Sequence, residues 1–75
     1  MQQSRRVTAI IEREGDGYVA LCPELDVASQ GDSLENARMN LVEALTLFFE
    51  TADASEIEQR FHSDLFVTQV EVPVG

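Results

Sequence analysis

The chain has no lysine and no tryptophan, one cysteine, one histidine and two prolines among its 75 residues. Each shortage excludes something. A single cysteine, Cys22, forbids an internal disulfide and fits a reducing compartment. One cysteine and one histidine, His62, cannot fill a structural zinc site. Without lysine there is no phosphate-binding loop of the Gly-rich, Lys-terminated kind, and Gly15, Gly17 and Gly31 lie in acidic surroundings that repel phosphate. No apolar run approaches the length of a membrane span. Arg5-Arg6 invites comparison with a twin-arginine export signal, but the run from Val7 to Ile11 ends at once in Glu12-Arg13-Glu14, too short for a signal core. These points predict a cytoplasmic, soluble chain.

What is present is acid and apolar bulk. All five basic residues are arginine (Arg5, Arg6, Arg13, Arg38, Arg60), against fourteen Asp and Glu, for a net charge of −9. The imbalance is uneven: residues 1–13 hold three arginines and Glu12, a balance of +2, and residues 14–75 hold two arginines and thirteen acids, a balance of −11. Such a field disfavours direct nucleic-acid binding and steers towards a basic protein; it also serves simply to keep a small domain in solution. Hydrophobic residues make up 44 % of the chain, too many for a disordered tail. A chain this short hides only roughly 60 % of the surface it exposes when unfolded, so apolar side chains are left outside. A homo-oligomer (dimer or tetramer) or an obligate partner is therefore expected.

One domain spans 1–75, with its core over about 7–72. Val7 to Arg13 is rich in β-branched residues and predicts a strand. Gly15-Asp16-Gly17 predicts a hairpin turn, with Tyr18 to Cys22 returning. Pro23-Glu24-Leu25 predicts a second turn, and Asp26 to Gln30 a short third strand ending at Gly31. Asp32 or Ser33 then caps a helix, with Glu35 placed three residues after Asp32 as a capping box requires. Leu34, Ala37, Leu41, Ala44, Leu45 and Phe48 form one apolar face of that helix to about Thr51. A second stripe of Val42 and Phe49, with Leu47 nearby, is open to two readings, a broad core contact or a subunit contact. Asp53 or Ser55 can cap a short helical piece from Glu56 to Phe61. Leu65 to Val72 predicts a final strand, with Phe66, Thr68, Val70 and Val72 on one face, and Pro73 ending it. The fold class is α+β, a two-layer sandwich ordered β-β-β-α-β with a possible extra helical turn before the last strand. Both alternating sets of the first two strands are partly apolar, so the faces of Ile10, Val19 and Leu21 stay open.

No catalytic constellation stands out. His62 has no nearby nucleophile in an organised motif, and a solvated or half-packed imidazole is the plainer reading. Cys22 has no cation or helix N-terminus beside it in sequence and reads as a small buried thiol. Glu24, Asp26 and Asp32 lack the number and spacing of oxygen ligands a calcium loop needs, and read as a solvated acidic turn. The expectation is a non-enzymatic chain with no cofactor and no metal.

The segment Tyr18 to Leu45 resembles the HicB antitoxin family. The residues that carry the likeness are Tyr18-Val19-Ala20, Cys22-Pro23-Glu24-Leu25, Ser29-Gln30-Gly31-Asp32-Ser33-Leu34-Glu35, Ala37, Asn40-Leu41 and Glu43-Ala44-Leu45. Two positions depart from it: Asp26-Val27 stands where a Gly is frequent, and Asn36 where an acid precedes Ala37. The resemblance implies a partial ribonuclease-H-like fold without nuclease activity. It also implies a partner, HicA, a small basic mRNA-cleaving toxin whose active surface the antitoxin covers. Operator binding belongs to an added C-terminal segment in that family, which is not expected of a chain stopping at Gly75. The electrostatic part of such binding is assigned to Glu12, Glu14, Glu24 and Asp26. The competing expectation is a stand-alone homo-oligomeric scaffold or regulatory domain with no toxin; a small-molecule-binding or enzymatic domain is a third and weaker one.

Overall fold

A computed structural model describes residues 5–62 and 64–75, and within them three strands are followed by two helices. Strands β1 (Ile10–Glu14), β2 (Gly17–Cys22) and β3 (Val27–Gly31) form an antiparallel meander in the order β1-β2-β3. Glu14 pairs with Gly17, so the first hairpin is closed by the two residues Gly15-Asp16. Gly15 has φ +60°, the left-handed conformation a tight hairpin of this length requires at its first loop position. The second turn runs through Pro23 to Asp26, and Asp26 takes a left-handed φ of 56°. An aspartate is among the few side chains that tolerate that conformation, and Val27 then opens β3. The strand therefore begins one residue after the expected Asp26. The first strand likewise starts at Ile10 and not at Val7, because the chain before it is engaged by the second turn, as described below.

Helix α1 (Leu34–Thr51) starts at a reciprocal cap. Ser33 Oγ accepts from the Asn36 N–H at 3.0 Å, and Asn36 Oδ1 accepts from the Asp32 N–H at 3.1 Å. This differs from the expected Asp32/Glu35 capping box: Ser33 is the cap, and Asn36 reaches back past it to the amide of Asp32. Glu35 is left free to pair with Arg38 one turn on. Gly31 sits so close to this helix start that a Cβ there would lie 2.5 Å from the Ala37 amide nitrogen. A short second helix, α2 (Ala54–Arg60), follows with Asp53 as its cap, whose carboxylate accepts from the Glu56 N–H at 2.9 Å.

Register and burial settle the sheet faces. Ile11 pairs with Ala20, and Cys22 with Val27, so these side chains share one side of the sheet. Ala20 and Cys22 are fully buried beneath Ala37, Leu41 and Leu45 of α1, with Leu25 from the second turn completing the cluster. Ile11, Tyr18, Val27, Phe48, Phe49 and Phe61 pack around it. The opposite side carries Ile10 against Leu21, Glu12 against Val19, and Ala28 beside Leu21, with no helix over it among the described residues. Burying Leu25 and Leu41 contributes about 1.5–3 kcal/mol each, so this small cluster dominates the driving force for folding. Of the expected helix face, Leu34 is exposed, since it lies in the first turn beyond the sheet's end. The second stripe divides: Phe49 joins the core, and Val42 and Leu47 face outward.

The expected fourth strand is not formed. Residues 65–75 are extended in sequence pattern but make no ladder, and Phe66, Val67, Val70, Val72 and Val74 are all exposed. A strand is stabilised by its neighbour's backbone groups, and the single chain brings neither free sheet edge to this segment. Among the described residues the two-layer sandwich therefore has three strands, not four.

Candidate partner-binding surface

The second turn is where distant parts of the chain converge. The Glu24 carboxylate accepts from the Thr8 N–H at 2.9 and 3.0 Å and from the Thr8 hydroxyl at 2.8 Å. The Glu24 carbonyl accepts from the His62 N–H at 2.7 Å. Arg60 donates to the Leu25 carbonyl at 3.0 Å and lies 5.1 Å over the Phe48 ring. Arg5 lies over both Phe49, at 5.7 Å, and Phe61, at 5.3 Å. Guanidinium stacking on aromatic faces thus fastens the N-terminal segment and the end of α2 to the end of α1.

These contacts decide what each acid is free to do. Partial burial raises the Glu24 carboxyl's affinity for a proton, but the Thr8 hydroxyl and amide outweigh it and hold the group below its ordinary value. Glu24 is a charged fastener inside the turn. Burial pushes the Cys22 thiol up, and its neighbour Glu24, to which it donates at 3.5 Å, adds to that effect. The side chain of Asp26 is exposed at the tip of the turn, two residues from Glu24. Glu12 and Glu14 are exposed and lie on the uncovered side of the sheet, in line with Ile10. The structure therefore groups Glu12 with Glu14, sets Asp26 apart at the turn, and commits Glu24 to internal bonds.

The uncovered sheet side is the surface these acids border. Val19 and Leu21 from β2 form its centre, Ile10 and Ala28 flank them, and Glu12, Glu14 and Gln30 stand on the same side. An apolar centre with a polar rim is the composition of a protein interface. Met39, Val42 and Leu47 of α1 are exposed as well. No group of three or more His, Cys, Asp or Glu side chains that could hold a metal ion is present among the described residues. His62 is exposed and engaged through its backbone. Among the described residues no helix is long and apolar enough to cross a membrane.

Thr8 and Arg60 had no signal in the sequence that linked them to the turn, since Glu24 and Leu25 stand 16 and 35 positions away, and Arg5 had none that linked it to Phe49 and Phe61. Residues 1–4 lie outside the described residues, and Arg5, next in the chain, is held over Phe49 and Phe61.

The fold and surface define a small α+β domain built around an antiparallel meander and one long helix. The comparisons narrow this. The chain belongs to the UPF0150 family: it is 31 % identical over 67 residues to a UPF0150 protein of Helicobacter pylori, covering 88 % of this chain and 93 % of the relative. It is also 42 % identical over 52 residues to a UPF0150 protein of Synechocystis, covering 67 % of this chain and 66 % of that relative. No family model matches the chain, and no solved structure matches it significantly.

Proposed function

We propose that the chain is the toxin-neutralising domain of a HicAB-like toxin–antitoxin pair, masking a small basic mRNA-cleaving toxin in the cytoplasm. The observation that carries this is the uncovered sheet side: Val19 and Leu21 at its centre with Glu12 and Glu14 beside them. Desolvated apolar groups would supply the affinity, and the acids would select a basic partner and speed its approach. The −11 balance over residues 14–75 acts in the same direction. The spacing from Cys22-Pro23-Glu24-Leu25 to Ser29-Gln30-Gly31-Asp32-Ser33-Leu34 supports the family likeness and has a structural use. It builds the turn that seats Leu25 in the core and the glycine-tight entry to α1. In this reading residues 65–72 are the fourth strand that completes a partial ribonuclease-H-like sheet.

The test is co-expression of the tagged chain with the small basic reading frame beside it in its own genome, followed by an assay of RNA degradation. A stable complex with silent nuclease activity is the expected outcome. Replacing Glu12, Glu14 and Asp26 together by Lys should weaken capture at least tenfold, and unchanged capture would remove the electrostatic part of the proposal. A second reading, a homo-oligomeric scaffold with no toxin, is favoured by one observation, the exposed apolar residues 66–74. It is the reading to adopt if the chain purifies alone and the neighbouring product is absent or remains active.

A further inference from the structure

Residues 65–75 are the least accounted-for part of the chain. Phe66 is 89 % exposed, Val70 78 %, Val72 68 % and Val74 91 %, although alternation and β-branching give this stretch a strong strand pattern. The radius of gyration of the molecule is 14.6 Å and its longest axis 51 Å, whereas a compact chain of this length has a radius of about 11 Å. Leaving four large apolar side chains in water is unfavourable relative to burying them. An eight-residue strand from Leu65 to Val72 reaches about 26 Å, more than enough to run the length of β1.

The chain itself carries a matching vacancy. The meander leaves β1 and β3 as open edges, and an open edge is a template for another strand. The two edges differ. Helix α1 packs chiefly on β3 and touches β1 least, so the core side of the sheet next to Val7 and Ile11 is the less covered one.

We propose that residues 65–72 of one copy add as a strand to the β1 edge of a second copy, so that self-association completes each sheet by exchange. On that edge Phe66, Thr68, Val70 and Val72 fall on a single side and can join Val7 and Ile11 beside the core, while Val67, Gln69 and Glu71 face the other way. The contact needs no toxin, and it goes beyond the proposed function: its failure would leave that reading standing, and the reverse holds as well. The exchange is of the domain-swapping kind, in which a single chain supplies both the strand and the acceptor edge.

The experiment uses the full chain alone. Sedimentation across a concentration series should give a dimer or a larger closed assembly. Val70→Pro removes one ladder N–H and should weaken self-association at least tenfold. Because the segment lies outside the core, the variant should keep the far-UV spectrum of the parent. To locate the contact, a tagged chain carrying Glu12→Cys is mixed with an untagged chain carrying Gln69→Cys and treated with a short bis-maleimide; the buried Cys22 stays out of reach. Linkage between tagged and untagged chains is expected. A monomeric parent chain would overturn the proposal, as would assembly unaffected by Val70→Pro. So would linkage confined to one chain in the Glu12→Cys, Gln69→Cys double variant, because the segment would then be returning to its own sheet. Linkage only between pairs of Gln69→Cys chains would point to a ribbon of two tails and overturn it equally.

Discussion

Replacing Glu24 by Gln separates a fastening role from a recognition role. The carboxylate holds the segment before β1 through two donors of Thr8, at 2.8–3.0 Å, and sits in the turn whose carbonyl is bonded by His62. Hydrogen bonds to a charged group contribute about 1.5–3 kcal/mol apiece. Gln keeps one acceptor oxygen and brings an NH₂ that cannot accept, and solvent screens the partly exposed site, so the net loss should be about 1–2 kcal/mol. For a domain of this size that lowers Tm by roughly 5–15 °C. The pH dependence follows from the depressed carboxyl. A group whose folded value lies below its unfolded one, about 4.3 for glutamate, contributes stability that is complete above that pH and is lost as pH falls through the folded value. The gap between parent and Glu24→Gln, measured by urea unfolding followed by circular dichroism, should therefore hold steady from pH 7 to about pH 5 and narrow below about 4.3. Partner capture should be unchanged once the variant is folded. A variant as stable as the parent at pH 7, yet defective in capture, would refute the reasoning and return Glu24 to the binding surface.

Three other perturbations test the fold that presents this surface. Leu41→Ala empties a site that is 1 % exposed between the sheet and α1; it should cost about 2–5 kcal/mol, a large share of the roughly 4–11 kcal/mol expected for 75 residues, read by thermal unfolding. Gly31→Ala forces a methyl to within 2.5 Å of the Ala37 amide and 2.6 Å of Asn36 Oδ1; it should destabilise by about 1–3 kcal/mol, and the capping amides of Asp32 and Asn36 should lose protection from hydrogen exchange. Ser33→Ala deletes the acceptor for the Asn36 N–H and should cost about 1 kcal/mol in the same unfolding assay, whereas Asp32→Ala, whose side chain caps nothing, should cost less.

Local chemistry made the first half of this fold legible. Gly15-Asp16 closes the first hairpin and Pro23 opens the second turn, so β2 could be bounded from both ends to within a residue. The spacing of Ala37, Leu41 and Leu45 gave the buried face of α1 because a helix repeats that face every three to four residues. Of the two expected caps, Ser33 is the one used, and its reciprocal partner is Asn36 and not Glu35. Asn36 could serve where Glu35 was expected because an amide oxygen accepts the same backbone N–H that a carboxylate would. The sheet faces were not legible. In β1 and β2 both alternating sets contain apolar residues, and only the position of α1 over Ala20 and Cys22 decides between them. The acids show the same limit for the site. Glu12, Glu14, Glu24 and Asp26 look alike in sequence, and what singles out Glu24 is Thr8, sixteen residues earlier and brought near by the hairpin.

The misplaced fourth strand has a different origin. Alternation and β-branching report what a segment can do once an edge is offered; they carry no information about which molecule offers it. Val67, Val70 and Val72 satisfy the pattern as well as any residue in β2, yet β2 has two neighbours and residues 65–72 have none within the chain. The core of Ala20, Cys22, Leu25, Ala37, Leu41 and Leu45 is small for a 75-residue domain, and marginal stability is the rule at this size. Apolar surface on the tail, on the sheet and along Met39, Val42 and Leu47 is then burial withheld from the single chain. Assembly recovers it. The stability of such a domain becomes dependent on its own concentration, so dilution should lower Tm in the parent chain and leave it unmoved in Val70→Pro.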